Sequence, residues 1–303
     1  MNLYTKRNNM IKKFVVVLMG VALSIAAMAQ DDLMKELEAS QEPETTYIGQ
    51  TFKGTRIVNG QSVETKAKGA LEFIFSHRFG AINSGAYNLW GLDDAFVRLG
   101  LEYGLTDRLG VGVGRSSTDK TFDGFLRYKV ARQSKGARNF PVTITAIGTT
   151  NIKTSPKAED NPLLVFEDRV SYVAQVLIAR KFTPNFSAQL TPIFVHRNTV
   201  EQSTENNDDY ALGIGARYKI TRSMALSGEY YYRLNPHENT PYYNSIGFGL
   251  DIETGGHVFQ LLFTNSLGMN ERAMVTETDG DFFAGDIHFG FNISRTFQIQ
   301  KPK

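Results

Sequence analysis

Five histidines are the first residues to test for chemistry: His77, His196, His237, His257 and His288. None stands in an H-x-x-x-H or H-E-x-x-H spacing, so no pair is set to ligate zinc from one helix face. The chain has no cysteine, which removes thiolate metal sites, disulfides and a thiol nucleophile. Ser76 directly precedes His77. On a strand, neighbours point to opposite faces, so the two cannot work as nucleophile and base. No G-x-S-x-G elbow is present. The stretch "GVGVGR" at 110–115 lacks phosphate-loop spacing and no helical pattern follows it. Its glycines read instead as room for large side chains on a sheet face. Asp279, Asp281, Asp286 and His288 are close enough in sequence to hold a cation, but a run of acids in a loop more often faces water. The chain is therefore read as carrying no catalytic residue, metal site or cofactor, and as not an enzyme.

The other charged residues follow a regular order. In "DDAFVRLGLEYGLTDRLGVGVG", Asp93 to Gly114, Val97, Leu99, Leu101 and Tyr103 alternate with Arg98, Gly100, Glu102 and Gly104. The same alternation sets Glu72, Asp123, Arg127, Arg217, Glu229, Asp286 and His288 opposite apolar neighbours, with Arg78, Lys129, Lys219, Arg233 and Asp251 on the same face. One row of mixed charge has two physical uses. It is a charged constriction that selects solutes, or a salt-bridged filling that closes the space it lines.

The elements that would position these rows are strands. From Ala70 to the C-terminus the period of two recurs about twelve times, in segments near the roughly 9–11 residues of a membrane strand. Short connections ("GLTDR", "FTPN", "TRS", "ETGG") alternate with mostly long polar ones, such as "NIKTSPKAEDNPLLVFED" and "NSLGMNERAMVTETDGDFFAGD". Placing the short turns at one rim puts Tyr103, Tyr128 and Tyr218 near it on the apolar face. Tyr172, Phe194, Tyr210, Tyr230 and Tyr232 then lie near the other rim, with aliphatic residues between. Two aromatic girdles about an aliphatic band match a bilayer with two interfaces. The predicted fold class is all-β: a transmembrane antiparallel up-and-down β-barrel of about 12 strands, with a short N-terminal periplasmic segment. Closure removes the sheet edges that hydrocarbon cannot satisfy.

The first thirty residues read as a secretory leader. Lys6, Arg7, Lys12 and Lys13 precede an apolar run from Phe14 to Ala27, and Ala27-Met28-Ala29 is a cleavage site between Ala29 and Gln30. Four of the 33 basic residues and none of the 31 acidic ones fall in this leader, so the remainder is slightly acidic. No large basic block is left, and nucleic acid is not a predicted partner. Residues 30–68 begin acidic, with Leu33, Met34 and Leu37 spaced for one helical face. They continue into a hairpin signal at Asn59-Gly60, between Thr55–Val58 and Gln61–Glu64. This segment is predicted to be periplasmic or to plug the barrel. The barrel spans 69–299, and 300–303 is a tail.

Several stretches carry a resemblance: "FKGTRIVNGQSVET", "FSHRFG", "RLGLEYGLTDRLGVGVGRSSTDKTFDGFLRYK", "ETGGHVFQLLFTNSLGM" and "GDIHFGFNISRTF". The chain resembles an uncharacterised family of outer-membrane β-barrel proteins of Gram-negative, Bacteroidota-type bacteria, a domain of unknown function. The resemblance implies fold and outer-membrane localisation and brings no activity or site residues. The tail "QIQKPK" after Phe297 departs from the terminal aromatic with which outer-membrane barrels often end. The predicted partners are the outer-membrane bilayer, the barrel-assembly machinery during insertion and an unidentified periplasmic protein. The leading function is a passive pore or solute channel with a charged lumen. The alternative is a structural or docking barrel with a filled lumen, and an outer-membrane hydrolase ranks last.

Overall fold

A computed structural model describes residues 44–155, 165–200 and 202–300. The leader, its Ala29–Gln30 cleavage site and the Leu33/Leu37 helical face lie outside the described residues. The described residues divide into two units. The smaller holds 44–46 and 135–139, where the Arg138 amide donates to Thr45 Oγ1 (3.2 Å).

The larger unit is a closed antiparallel barrel of twelve strands. In chain order they are β1 (Ala70–Ala81), β2 (Ala95–Gly104), β3 (Leu109–Ser116), β4 (Phe122–Ala131), β5 (Thr143–Ile152) and β6 (Val170–Lys181). They continue as β7 (Phe186–Arg197), β8 (Asp208–Lys219), β9 (Met224–Arg233), β10 (Ser245–Glu253), β11 (His257–Thr264) and β12 (His288–Gln298). Each pairs with the next, and β12 returns to β1 through Gly290↔Arg78 and Phe297↔Leu71. Every strand is antiparallel to both neighbours, so successive connections alternate between two rims, one carrying mostly short turns and the other mostly long loops, with the short 117–121 connection and the longer 132–142 connection as the exceptions.

The pleat sorts the two faces, and the sorting is the reverse of a soluble barrel. Arg98 is 2% exposed and its neighbour Leu99 is 47% exposed. Glu72, Glu102, Asp123, Arg127 and Glu229 are likewise buried, while Val113, Leu126, Ile214 and Leu226 are exposed. A water-soluble sheet hides its apolar face; this one presents it outward, as hydrocarbon surroundings require. Tyr128, Tyr172, Tyr210, Tyr218, Tyr230 and Tyr232 are exposed on the outer face, and Tyr103 and Phe194 are half-buried there. Strands of 8–12 residues, tilted as in membrane barrels, give an apolar band about 25 Å tall.

A charge placed on that band should block assembly. Leu99→Arg is expected to cost about 2–4 kcal/mol, the penalty of arginine near the bilayer midplane. Folding into vesicles, followed by the gel shift between heated and unheated samples, measures it. Assembly at the wild-type level would mean that Leu99 does not face lipid.

The interior is not hollow. Residues 51–65 run inside the barrel as a hairpin, and the connection between β11 and β12 folds back inward as helix α1 (Glu271–Thr276), every residue of which is buried. That connection is one of the long polar loops of the sequence reading. It turns inward because Asn270 caps the helix, accepting from the Ala273 amide (2.9 Å), and because Met274 and Val275 have an apolar wall to cover.

Candidate functional site: the closed lumen

The hairpin enters and leaves at the short-turn rim. Gln50 O accepts from Lys181 Nζ (3.0 Å), the Lys68 amide donates to Asp107 Oδ1 (3.2 Å), and the Gly69 amide donates to Gly104 O (2.8 Å). The two arms pair through Ile57 N–H to Gly60 O (2.9 Å) and Ser62 N–H to Thr55 O (2.8 Å). The turn is thus centred on Val58-Asn59, one residue before the Asn59-Gly60 of the sequence signal. Neither Asn59 nor Gly60 has a positive φ, so this is not the mirror-image turn that an Asn-Gly pair usually makes.

One carboxylate explains the shifted turn. Glu229 on β9 accepts from the amides of Val58 (3.2 Å), Asn59 (2.7 Å) and Gly60 (3.1 and 3.2 Å). Three successive N–H groups of the turn converge on it and form an anion-binding nest. The rest of the wall completes the grip. Asn59 Oδ1 accepts from Arg78 Nη2 (2.6 Å), and Asn59 Nδ2 donates to Thr264 Oγ1 (3.1 Å). Gln189 holds Val63 N–H and Gln61 O at 2.8 Å each. Arg127 donates to Glu64 O and to Gln61 Oε1. Apolar packing backs these bonds: Phe52, Ile57, Val58 and Val63 form one core with Phe125, Ile147, Leu177, Ala179 and Leu262 of the wall.

The second insert covers the tip from the long-loop side. Met274 and Val275 of α1 pack with Val173, Ile193, Val195, Ala211 and Tyr231. Arg56 of the hairpin meets Glu271 of the helix at 2.6 Å, both buried. A cavity of about 30 Å³ is left between hairpin and wall, lined in part by Lys53, Thr55, Glu72, Arg217, Gln260 and Asn292. It has room for about one water molecule and none for a solute.

Most of the charged wall residues described above stand in ion pairs. Arg98 grips Asp123 through Nε (2.9 Å) and Nη2 (2.5 Å). Arg127 lies 3.7 Å from Glu102, and Arg217 binds Asp251 (2.7 Å) and Glu253 (2.6 Å). Glu72 takes Lys66 of the hairpin at 2.7 Å. Glycines make room: a Cβ at Gly114 would lie 2.2 Å from Arg98 Nη2, and one at Gly112 would lie 2.2 Å from the Phe125 ring. His288 is buried on β12, its Nδ1 3.0 Å from Phe79 O. Asp286 does not belong to this wall. It precedes β12 in the long-loop rim, where Oδ1 accepts from Asn83 Nδ2 (2.6 Å) and Oδ2 from the Asp281 amide (3.0 Å). The strand starts two residues later than the alternation suggested, because the loop ties Asp286 into its own turn.

At the long-loop rim a chain of ions ties α1 to the wall. Glu277 contacts Arg272 and lies 3.0 Å from Lys153, which lies 3.3 Å from Asp119. Burial pushes the Glu277 carboxyl up, but Arg272 and Lys153 outweigh it and hold it at about 2. A carboxyl whose folded pKa lies below its ordinary 4.5 stabilises the fold fully above that ordinary value. The contribution is lost as pH falls through the folded value. Glu277→Gln should therefore unfold at a lower temperature than wild type at pH 7, with the gap closing between about pH 4.5 and 2. A gap that is constant across this range would mean the pair does not form.

The residues that grip the hairpin were mostly not singled out from sequence. Gln189, Gln260, Asn292, Thr145, Arg56 and Glu271 are ordinary polar residues until their partners are known. One signal was available. The run "YVAQVLIA" at 172–179 is almost continuously apolar, the pattern of a strand covered on both faces. Its inward Val173 and Leu177 touch the two inserts.

The model of a family described as a membrane-bound β-barrel domain (DUF5777) matches residues 52–297. No curated protein matches the sequence. Among solved structures, the chain is similar to the KdgM porin, with 9% identity and a TM-score of 0.45 over 75% of this chain and 99% of that one. It is similar to the outer-membrane phospholipase A of Escherichia coli, with 14% identity and a TM-score of 0.42 over 74% and 92%. It is also similar to OmpF of Salmonella typhi, with 8% identity and a TM-score of 0.37 over 75% and 97%.

Proposed function

The chain belongs to the DUF5777 family of membrane-bound β-barrel domains; from that premise we propose that it is a porin-like barrel of the bacterial outer membrane, a gated channel whose resting state is closed by its own N-terminal hairpin. The observation that carries this reading is the Glu229 nest, which holds the hairpin tip through three backbone amides. The tip is held by one carboxylate and the plug is one hairpin with both ends at one rim, an arrangement that can open without disturbing the barrel wall. The matched family region begins at Phe52, so the hairpin is part of the domain rather than an appendage to it.

In this reading the short-turn rim is periplasmic and the hairpin withdraws to that side. Charges of both signs on the wall would then line the passage. A permanently filled docking barrel is the second reading, favoured by the two apolar cores inside the lumen. Hydrolysis has no comparable support: Ser76 is buried inside, and His77 stacks on Phe291 of the outer face (5.1 Å).

A disulfide lock separates the readings. A Cβ on Gly247 would stand 3.5 Å from Val58 Cβ, within disulfide range, and the chain has no cysteine to interfere. In planar bilayers the oxidised V58C/G247C barrel should be silent, and reductant should restore wild-type openings. Openings that persist in the oxidised form would show that current does not require the hairpin to move. No openings in wild type or in the reduced barrel would favour the docking reading.

A further inference from the structure

The wall holds the hairpin to a large extent by its backbone. Between Ile57 and Glu64, nine backbone N–H and C=O groups bond to wall side chains. The amides of Val58, Asn59 and Gly60 donate to Glu229, and that of Val63 donates to Gln189 (2.8 Å). The carbonyls of Ile57, Val58, Gln61, Val63 and Glu64 accept in turn from Gln260 (2.5 Å), Asn292 (3.0 Å), Gln189 (2.8 Å), Thr145 (2.8 Å) and Arg127. These six residues come from six different strands. Backbone N–H and C=O groups are the same in nearly every sequence, so a wall that satisfies nine of them fits polypeptide as a class. Side-chain contacts add selection at Arg56, Asn59 and Gln61, which meet Glu271, Arg78 and Arg127, whereas Ile57, Val58 and Val63 need only the apolar patch of Phe125, Ile147, Leu177 and Leu262.

We infer that the lumen is a peptide-binding site, occupied in cis by the chain's own hairpin, and that with the hairpin withdrawn it takes a polypeptide segment of another molecule. The favoured ligand is a short turn or hairpin carrying two or three branched apolar residues. This rests on the reading that the hairpin leaves. In the resting chain the tethered hairpin competes at an effective concentration on the order of millimolar, so an outside peptide enters only when the cis hairpin is weakened.

Gly60→Val provides that weakening in the full chain. A Cβ at Gly60 would stand 1.8 Å from Tyr231 Oη, and Tyr231 is buried in the wall, so the tip cannot seat. The probe is a fluorescent synthetic peptide of residues 50–66. It should bind the Gly60→Val barrel saturably and wild type at least about ten-fold more weakly. Replacing Ser62, whose hydroxyl donates to Gly54 O and accepts from the Glu64 amide of the hairpin itself, should change the peptide's affinity by no more than about three-fold. N-methylation at residues 58, 59, 60 and 63 removes four donors and should weaken it about a hundred-fold or more. Equal binding of the N-methylated peptide would overturn backbone recognition. A Gly60→Val barrel that conducts yet binds no peptide would overturn the inference while leaving the gated channel standing. One that binds peptide without ever conducting would uphold the inference and count against the channel. A second measurement needs no disruptive change: in an otherwise wild-type chain, Ser62→Cys should be labelled faster as peptide is added. A labelling rate unmoved by saturating peptide in either background would sink the proposal.

Discussion

Glu229→Ala is expected to empty the lumen of its hairpin. The substitution leaves the amides of Val58, Asn59 and Gly60 without that acceptor in the buried interior. Each stranded donor costs about 1–3 kcal/mol, so the seated hairpin loses on the order of 3 kcal/mol or more. That moves the balance between seated and withdrawn hairpin by at least about two orders of magnitude. Labelling of Ser62→Cys, a buried hairpin position, should quicken by a similar factor, and single-channel openings should become frequent. Glu229→Gln keeps one acceptor oxygen and should fall between. The barrel wall itself should survive, because β9 keeps its ladder to β8 and β10. Unchanged labelling of Ser62→Cys in the alanine variant would show that the hairpin is held by its apolar core and not by the nest.

Arg98→Ala is expected to damage the barrel itself. Asp123 is buried and its carboxylate takes both Arg98 bonds. Removing the guanidinium strands a charge in a low-dielectric space, at a cost of about 3–5 kcal/mol. The double variant R98A/D123A removes both charges and should recover most of that loss. Unfolding temperatures in detergent for the wild type, the two single variants and the double variant complete the cycle. Additive losses would mean the pair is hydrated and independent, which is the behaviour of an open constriction rather than a packed interior.

These two outcomes bear on the parts of the molecule that the sequence exposes unequally. The alternation of Arg98 with Leu99 is local, so a period of two reveals strand, face and membrane together. The glycines of 110–115 are legible for the same reason: small residues opposite Arg98 and Phe125 make room on a neighbouring strand. The Glu229 nest is different in kind. Its partners lie about 170 residues away, and a lone inward glutamate looks the same whether it faces water or three amides. Helix α1 has six residues, too few for a helical period to show inside a long polar loop. Asp286 looked like a wall residue because alternation does not mark where a strand stops and a turn takes over its side chains. The apolar run of β6 was the one local trace of the filling. It follows from the same rule as the outer face: an apolar side chain on the inside also needs something dry against it.

The central claim is that the resting lumen is closed, and the wild-type barrel in a planar bilayer tests it most directly. The expected record under an applied voltage is a silent baseline broken by brief, infrequent openings, whose frequency does not change when salt is raised within the range that leaves buried pairs intact. A steady ohmic conductance from the moment of insertion would contradict it, because a lumen filled by the seated hairpin and helix α1, each packed on the wall through an apolar core, cannot carry one.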